Sequence, residues 1–518
     1  MRGIVPQKVK GFRDINSTQN ALREFIIEKA SEIYRRFGFS RFDSPILEYA
    51  ECLGKYLPDN DSVAQGVYSF KNPEQEPVYD TLGKEMRDSA NNVIMENHYL
   101  AMRYDLTAPL ARVYAEGLWQ QHLRGEIQGK TNLFRRFQYG PVFRFEAKLD
   151  PGRFREFWQM DFDTVGTEDV ATDAENCMIL SQALENIGLK RGTYLIKINN
   201  RKIVNGLLAF IGISNADDET AVMRVIDKLD KVGIENLAKE LGKGRVDETS
   251  GAQIPGLGLE EKNIDLIINY IKDFEIHLTR KETLEKLKGK PSFENQIYKE
   301  GVQELEKIDE ILTNLGFNEE VAIFDPSMVR GLGYYTGPIY EVESLQTYTD
   351  EKGRQRKVGS ICGGGRYDGL VENLLGIKVP ATGASIGIDR LAELLTLTGQ
   401  APEQISGPVI VIVFDEKLMP LYQKTAMQLR NAGINTEIYY GAKRGLKHQM
   451  SYADKNNCPL AIIIGEDEAQ KGVATVKNLK LGKLLSQQIS DKNEWKSKVQ
   501  TEISLENLAQ EVKKLLFE

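Results

Sequence analysis

Cysteine and histidine are both scarce in this chain of 518 residues, with four of each. Cys52, Cys177, Cys362 and Cys458 lie far apart and form no C-x-x-C pair, so neither a disulfide framework nor a zinc site is indicated. No histidine belongs to an H-E-x-x-H motif, which argues against hydrolytic zinc chemistry.

Long hydrophobic runs are absent as well. No stretch approaches the roughly 20 apolar residues of a membrane span, and the first residues lack the apolar core of a signal peptide. We therefore expect a soluble, cytoplasmic protein with no membrane partner. The hydrophobic content of 41% and the charged content of 27% are those of an ordinary globular chain. The length predicts roughly three domains.

Acidic residues outnumber basic ones, 75 to 67, but not evenly along the chain. From residue 407 onward the 16 basic and 13 acidic side chains give a net charge of +3, which leaves −11 for the rest. A basic C-terminal region is compatible with a polyanionic partner at that end, although ordinary fluctuation in charge explains it equally well.

The first fifty residues predict a helix followed by an extended segment. Residues 17–37 have helical spacing of apolar side chains, with Ser17 or Thr18 as the N-cap and Gly38 at the end. The extended segment, residues 39–47, contains a proline, which favours an edge or interface position.

The middle of the chain predicts a sheet interrupted by helices. Two β-like runs, LFRRFQYGPVFRFEA and FREFWQMDFDTVG, flank the turn sequence LDPG and predict an antiparallel hairpin. Residues 170–190 have helical spacing, and residues 200–320 form a helical module with a glycine-rich interruption. Strand-like sequences return beyond residue 320.

A boundary at Gly407–Pro408 separates a C-terminal region. Beyond it, strand-like and helix-like runs alternate, which predicts a small α/β domain with a largely parallel sheet.

The common nucleotide-binding loops are missing. The glycines of GEIQGKT, residues 125–131, have the wrong spacing for a P-loop, and GLGYYTG, residues 331–337, does not match G-x-G-x-x-G. If the protein binds a nucleotide, another architecture must do so. The hairpin offers one, since RFE at 144–146 and GRFREF at 152–157 meet across its turn. Arginines there can bind phosphates, and an aromatic ring can stack on a base. If the F-R-x-E motif stood alone, we would instead favour a purely structural hairpin whose arginines are solvated.

Taken together, these motifs resemble those of a known family. The two hairpin motifs resemble motif 2 of the class II aminoacyl-tRNA synthetases, GASIGIDRL at 383–391 resembles motif 3, and the first helix with its extended segment resembles motif 1. RGLGYYTG at 330–337 and GGGRYDGL at 363–370 resemble two signatures of the histidyl-tRNA synthetases. KGFRD at 10–14 and RYDLT at 103–107 also match that family, and the resemblance extends from about residue 8 to 518.

The resemblance implies the fold class and the domain organisation. The fold class is α/β, with an α+β catalytic domain on an antiparallel sheet at residues 1–195 and 321–400. A helical module is inserted at residues 196–320, and an α/β anticodon-binding domain follows at residues 407–518.

The resemblance also implies the reaction. The carboxylate of L-histidine attacks the α-phosphate of ATP to give histidyl-adenylate and diphosphate, and the histidyl group then passes to tRNA(His) with release of AMP. The implied cofactor is Mg2+, with no metal ligand named among the side chains, and the implied assembly is a homodimer.

The resemblance assigns a role to each motif residue. The implied catalytic residues are Arg144 and Arg330, which stabilise the charge at the α-phosphate. The implied ATP-binding residues are Arg144, Glu146, Arg153, Phe157 (stacked on adenine) and Arg390. The implied histidine-binding residues are Asp105 (for the ammonium group), Thr107, Arg144, Gln159, Asp163 (for the imidazole), Arg330, Tyr334, Tyr335 and Tyr367.

Several alternatives stay open. Tyr334 or Tyr367 could be core aromatics, Asp163 could be a surface acid at a strand end, and a regulatory paralogue that binds histidine without tRNA is a rival. Lys443, Arg444 and Lys447 are candidate phosphate contacts of the C-terminal domain, or simply a solvated basic turn.

The chain departs from the family at two places. Gly333 stands where relatives commonly have an acid or asparagine. The loop AKLDP, residues 147–151, lacks the arginine and glutamine with which many relatives read the extra 5′ guanosine of histidine tRNA, so we expect weak discrimination for that base.

Overall fold

The computed structural model describes residues 6–56, 66–79, 84–124, 132–145, 153–246, 251–274, 278–329, 335–350, 352–402, 407–485 and 491–517. The chain divides into two compact units, Met1–Ala401 and Pro402–Glu518. Within the described ranges, no helix is both long enough and apolar enough to span a bilayer.

The α-helices of the described residues are α1 (Ser17–Arg36), α2 (Thr107–Leu123), α3 (Ala171–Ile187), α4 (Arg201–Phe210), α5 (Ala216–Ile226), α6 (Leu229–Leu241), α7 (Glu261–Lys272), α8 (Arg280–Lys288), α9 (Gln296–Asn314), α10 (Glu372–Leu375), α11 (Ile388–Leu397), α12 (Met419–Asn431), α13 (Leu446–Lys455), α14 (Glu466–Lys471), α15 (Leu479–Leu485), α16 (Lys492–Val499) and α17 (Leu508–Phe517). Short 3-10 helices span Ala50–Tyr56, Pro291–Glu294 and Glu416–Leu418.

The β-strands are β1 (Ser40–Arg41), β2 (Leu47–Tyr49), β3 (Ser69–Lys71), β4 (Glu76–Pro77), β5 (Met95–Glu96), β6 (Tyr99–Met102), β7 (Phe134–Phe143), β8 (Glu156–Val165), β9 (Tyr194–Asn200), β10 (Gly244–Val246), β11 (Gln253–Pro255), β12 (Ala322–Phe324), β13 (Pro338–Ser344), β14 (Thr347–Thr349), β15 (Gln355–Lys357), β16 (Ser360–Arg366), β17 (Ala381–Gly387), β18 (Val409–Val411), β19 (Thr436–Ile438), β20 (Leu460–Ile463), β21 (Val473–Asn478) and β22 (Gln500–Ser504).

The first unit is built on an eight-stranded sheet with the strand order β1-β7-β8-β17-β16-β13-β9-β12. Only the two edge strands pair in parallel with their neighbours, and the six strands between them pair antiparallel. The predicted hairpin is β7 with β8, and its turn sequence LDPG lies outside the described residues. The antiparallel sheet expected for this fold class is therefore confirmed.

Side-chain alternation gives this sheet one apolar and one polar face. Phe137, Met160 and Phe162 lie on the apolar face and belong to the same buried cluster as Ile26 of α1 and Leu180 of α3. Because neighbouring residues of a strand face opposite ways, the odd-numbered residues of β8 lie on the other face.

Helix α1 begins after a capping box formed by Asn16 and Gln19. The Asn16 side chain accepts from the Gln19 amide at 2.9 Å, and the Gln19 side chain accepts from the Asn16 amide at 3.1 Å. The predicted N-cap, Ser17 or Thr18, was therefore wrong by one or two positions. The predicted end is confirmed, since Gly38 follows the helix with a φ of +80°.

The extended segment after α1 forms two short strands rather than one. Strand β1 lies at the edge of the main sheet beside β7, and β2 pairs with β6 in a separate three-stranded sheet. Pro45 lies between these strands and belongs to neither, so it does not occupy a position within a strand.

The predicted helical region contains α4 to α9 and one small hairpin, β10 with β11. Helices α4 and α9 approach closely at Gly206, where a Cβ atom would lie 2.7 Å from Cα of Tyr298. Their apolar residues, such as Leu208 and Leu305, belong to the same buried cluster as the main sheet. The helical module thus shares its core with the sheet, and the three-part domain division remains a prediction.

The second unit alternates strands and helices as predicted, but its sheet is mixed. The strand order is β19-β18-β20-β21-β22, with parallel pairing among the first three strands and antiparallel pairing of the last two. The expectation of a largely parallel sheet was therefore wrong for β21 and β22. Only residues 464–472 connect β20 to β21, and a parallel crossover needs about a dozen residues or more.

Candidate active site

A cavity of about 310 Å³ lies on the polar face of the main sheet. Strands β8, β17, β16 and β13 contribute to its lining. Because strand side chains alternate, Phe157, Gln159, Asp161 and Asp163 of β8 all share this face. We refer to this space as the central cavity.

Glycines on β16 and β17 leave room for the central cavity. Gly383 pairs with Asp163 across the sheet, and a Cβ atom there would lie 2.8 Å from Cγ of Asp163. A Cβ atom at Gly365 would lie 2.8 Å from the ring of Tyr335. A side chain at either position would push a cavity residue aside, which explains the glycine-rich sequences of these strands.

One end of the central cavity is lined by arginines and an aromatic ring. Arg144 directly follows β7 and donates to the backbone oxygen of Tyr104 at 3.0 Å and to the side-chain oxygen of Gln159 at 3.4 Å. Its guanidinium group lies 5.2 Å from the centre of the Phe157 ring. Arg153 is exposed beside the start of β8.

Arg390 lines the same cavity from the first turn of α11. It donates to the backbone oxygen of Ser360 at 2.7 Å, so the guanidinium group is anchored to the start of β16. Planar guanidinium groups that converge on one cavity match the geometry of phosphate oxygens.

Asp105 lines the cavity at the N-terminus of α2. One carboxylate oxygen accepts from the backbone amides of Thr107 at 3.1 Å and Ala108 at 2.9 Å, as a helix cap does. The other oxygen is buried and has no hydrogen-bond partner among the described residues. Burial raises the pKa of Asp105.

Asp163 is buried and held by two side chains. The hydroxyl of Tyr367 donates to one of its oxygens, and the guanidinium group of Arg136 lies 3.1 Å from the other. Arg136 also donates to the backbone oxygen of Leu106 at 2.6 Å. Burial raises the pKa of Asp163, against the opposing effects of Arg136 and Tyr367.

Asp161 is a third buried carboxylate of the central cavity, in addition to Asp105 and Asp163. It is 2% exposed, and the hydroxyl of Thr107 donates to one of its oxygens at 3.5 Å. Burial, followed by the charge of Asp163, raises the pKa of Asp161 to about 7. This carboxyl group is therefore partly protonated near neutral pH.

The central cavity brings together every predicted catalytic, ATP-binding and histidine-binding residue that lies within the described part of the chain. These residues are Asp105, Thr107, Arg144, Arg153, Phe157, Gln159, Asp163, Tyr335, Tyr367 and Arg390. The remaining three, Glu146, Arg330 and Tyr334, lie outside the described residues.

Sequence reasoning missed Asp161, Arg136, Ser385 and Glu341. All except Arg136 line the cavity, and Arg136 contacts it through Asp163. The alternation on β8 could have found Asp161, since it lies midway between Gln159 and Asp163. The strand register that aligns Ser385 with Asp161 cannot be read from the sequence.

The N-terminal segment is attached to this site through Asp389. The buried carboxylate of Asp389 contacts the guanidinium groups of Arg13 and, at 3.1 Å, Arg23, and it accepts from the backbone amide of Trp158 at 2.6 Å. In the sequence, Asp389 directly precedes Arg390, and Trp158 directly follows Phe157. This cluster therefore fixes two elements that line the arginine end of the cavity.

In the second unit, Lys443, Arg444 and Lys447 lie between β19 and the first turn of α13, as predicted. The two lysines are exposed, and Arg444 lies 3.5 Å from the carboxylate of Glu416.

Comparison with known proteins identifies the family of this site. The family model described as histidyl-tRNA synthetase matches residues 74–391, and the model described as anticodon binding domain matches residues 408–515. The chain belongs to the histidyl-tRNA synthetase family. The synthetase thus uses ATP to attach histidine to tRNA(His) through a histidyl-adenylate, with release of AMP and diphosphate.

Two curated relatives and one crystal structure illustrate the similarity. The synthetase is 43% identical to the histidine–tRNA ligase of Paracoccus denitrificans, over 98% of this chain and 97% of the relative. It is 41% identical to that of a Ruegeria species, over 98% and 95%. The crystal structure of the histidyl-tRNA synthetase from Nostoc sp. PCC 7120 has a TM-score of 0.68 and 28% identity, and the match covers 99% of this chain and all of that one.

Proposed function

We propose that the central cavity is where histidyl-adenylate forms, with ATP at the arginine end and histidine at the carboxylate end. The observation that carries this proposal is the convergence of Arg144, Arg390 and Phe157 beside three buried carboxylates in one cavity. The arginines and the aromatic ring suit the triphosphate and the base of ATP, and the carboxylates suit the cationic ammonium group of an amino acid.

Arg144 lies between the two ends and would stabilise charge at the α-phosphate. It contacts Gln159 on the histidine side and lies near Phe157 on the adenine side. Fixed positive charge in a site that excludes water is worth more than in solution, since it needs no reorganisation during the reaction. Arg330, which the resemblance places opposite Arg144, lies outside the described residues and completes this proposal.

The remaining arginines would hold the rest of the triphosphate. Arg390 is anchored to Ser360, and Arg153 lies exposed where a long phosphate chain can reach it. Phe157 would stack on the adenine ring, with the guanidinium group of Arg144 nearby.

Mg2+ would enter bound to the triphosphate and neutralise part of its charge. Within the described ranges, no three histidine, cysteine, aspartate or glutamate side chains are arranged to hold a metal ion. Such a set is not required, because Mg2+ is commonly held by substrate phosphates, waters and one or two carboxylates. Glu341, which lines the cavity, is a candidate for such a carboxylate.

Histidine would be recognised at both of its polar ends. Asp105 would pair with the ammonium group, since one of its oxygens is buried without a partner. Asp163, oriented by Tyr367 and Arg136, would accept from the imidazole ring, and Tyr335 would contact the other ring edge. Leaving these buried groups unpaired costs a wrong substrate several kcal/mol by order of magnitude.

The protein would act as a homodimer in the cytoplasm. Phe42, Ile46 and Leu47 of the segment that resembles motif 1 are exposed apolar side chains. Several exposed apolar side chains in one segment are typical of a subunit interface. The second unit would bind the anticodon end of tRNA(His), with Lys443 and Lys447 as phosphate contacts.

Histidine-dependent exchange between ATP and labelled diphosphate tests the proposal. We expect exchange with histidine and none with proline, threonine or serine, because only an imidazole pairs with Asp163 and Tyr335. The Arg330→Ala variant should lose exchange while binding histidine nearly as well as the parent. Exchange at the parent rate in that variant would remove Arg330 from the mechanism.

A further inference from the structure

Asp161 is the one of the three buried carboxylates of the central cavity to which neither the family motifs nor the proposed function assigns a ligand atom of its own. It is 2% exposed and lines the cavity, and its second oxygen accepts no hydrogen bond from the described residues. A buried carboxylate without a full set of partners is costly, so it marks a place where a ligand donor belongs.

The two cations whose charge acts on Asp161 are both bound to other groups. Arg136 lies 3.1 Å from Asp163 and donates to the backbone oxygen of Leu106 at 2.6 Å, and Arg103 donates to the backbone oxygens of Pro141 at 2.8 Å and Ser44 at 3.0 Å. The other acids nearby, Asp105 and Asp163, carry the same sign as Asp161 and raise its pKa, as burial does. A cationic group entering this end of the cavity would relieve that repulsion.

Thr107 brings Asp161 and Asp105 to the same place. Its backbone amide donates to Asp105 at 3.1 Å, and its hydroxyl donates to Asp161 at 3.5 Å. Each carboxylate keeps one buried oxygen without a hydrogen-bond partner among the described residues. Gln159, the neutral ammonium partner implied by the resemblance, instead directs its side-chain oxygen to Arg144 and its amide to Ser385.

We propose that Asp161 is a second carboxylate ligand for the α-ammonium group of histidine, acting together with Asp105 and the hydroxyl of Thr107. An ammonium group has three donors, and these residues supply two free carboxylate oxygens and one hydroxyl oxygen. The inference rests on the proposed function, because it assumes that the carboxylate end of the cavity receives histidine.

The test compares histidine with 3-(imidazol-4-yl)propionate, which lacks only the amino group. Diphosphate exchange is measured with the parent enzyme and with Asp161→Asn. Histidine is titrated as the substrate, and the analogue is titrated as a competitive inhibitor of histidine. We expect the KM for histidine to rise about 10- to 100-fold in the variant, the range for losing one charged hydrogen bond. The inhibition constant of the analogue should change less than about threefold, because it makes no ammonium contact.

Equal weakening of both compounds would overturn the proposal, since it would show that Asp161 shapes the pocket or contacts the ring. An unchanged KM for histidine would also overturn it. If the parent enzyme shows no histidine-dependent exchange, the proposed function fails instead, so the two failures are distinguishable.

Two further variants guard against indirect effects. Asp169→Asn makes the same substitution at an exposed aspartate outside the cavity and should leave both constants unchanged. If Asp161→Asn fails to fold, Asp161→Ser provides the same comparison with a smaller polar side chain. A loss of selectivity for the amino group in that variant supports the proposal, and retained selectivity refutes it.

Discussion

At the scale of single residues, the central cavity depends on the absence of side chains as much as on those present. Gly383 faces Asp163 across β17 and β8, and Gly365 faces Tyr335. Both glycines lie in strands, and a glycine inside a strand weakens it. Such a glycine often marks a site where a neighbouring group packs too closely to leave room for a side chain.

Gly383→Ala should therefore damage the histidine end of the cavity. The added methyl group would lie 2.8 Å from Cγ of Asp163 and also clash with the backbone oxygen of Phe162, so the Asp163 carboxylate and the strand must move, at a cost of roughly 1–3 kcal/mol. We expect the KM for histidine in diphosphate exchange to rise at least about tenfold, with a smaller change in the KM for ATP. Gly369→Ala, where a Cβ atom meets nothing within 4 Å, is the matched control and should behave like the parent.

The pKa of Asp161 predicts how stability depends on pH. An unfolded aspartate loses its proton near pH 4, whereas folded Asp161 keeps its proton up to about pH 7. The folded state therefore binds more protons than the unfolded state between these values, and the free energy of unfolding falls as the pH rises. The stabilising contribution of the protonated group is complete below about pH 4 and is lost above pH 7.

Asp161→Asn removes this titration. Urea unfolding at pH 5 and at pH 8 should show a smaller loss of stability between the two values in the variant than in the parent. Parallel pH dependences in the two proteins would contradict a raised pKa at Asp161.

At the scale of elements, α11, β8 and the N-terminal segment meet at one carboxylate. Asp389 binds Arg13 and Arg23 and caps the amide of Trp158. The guanidinium group of Arg13 also lies 3.6 Å from the centre of the Phe154 ring. KGFRD, which resembles a family motif, is thus connected through Arg13 to the residues next to Arg390 and Phe157.

Asp389→Asn should weaken the contacts of this carboxylate with Arg13 and Arg23. Removing one charge from a buried ion-pair cluster costs about 1–3 kcal/mol, so the melting temperature should fall. Because Arg390 and Phe157 are neighbours of Asp389 and Trp158 in the sequence, the KM for ATP should rise more than the KM for histidine. Asp350→Asn, which alters an aspartate between Arg354 and Arg356 in a surface hairpin, should change neither constant.

Element boundaries and strand directions show which structural features the local sequence can predict. The capping box at Asn16 is local, and a search for S/T/D/N followed three residues later by E/Q would have found it. The antiparallel pairing of β21 was missed because it depends on the length of one connection, residues 464–472. The alternation of strand and helix was correct, yet alternation alone does not fix strand direction.

At the scale of the whole molecule, the two units have separate cores. Phe162 and Leu305 belong to the core of the first, and Val411 and Leu429 to that of the second. The curated relatives at 43% and 41% identity are histidine–tRNA ligases, which argues against the regulatory paralogue. The two family models match different units of the chain.

The acceptor end of tRNA(His) gives a prediction at this scale. The loop AKLDP at residues 147–151 lies outside the described residues, so the expectation of weak discrimination for the extra 5′ guanosine stays a prediction. Aminoacylation of two transcripts that differ only in this base should give kcat/KM values within about tenfold, since the loop lacks the arginine and glutamine with which many relatives read the base. A preference well beyond this factor would refute the expectation.

The sequence by itself determined the family and the reaction of this protein, because its motifs combine fixed residue types at fixed spacings. The roles that these motifs give to Asp105, Arg144, Phe157 and Arg390 remain predictions. Only the tertiary structure decided which neighbours these residues have. Strand register aligned Asp161 with Ser385, burial and the charge of Asp163 raised the pKa of Asp161, and a carboxylate on a distant helix joined the N-terminal segment to the site. These are long-range pairings between segments hundreds of residues apart, and no local pattern encodes them.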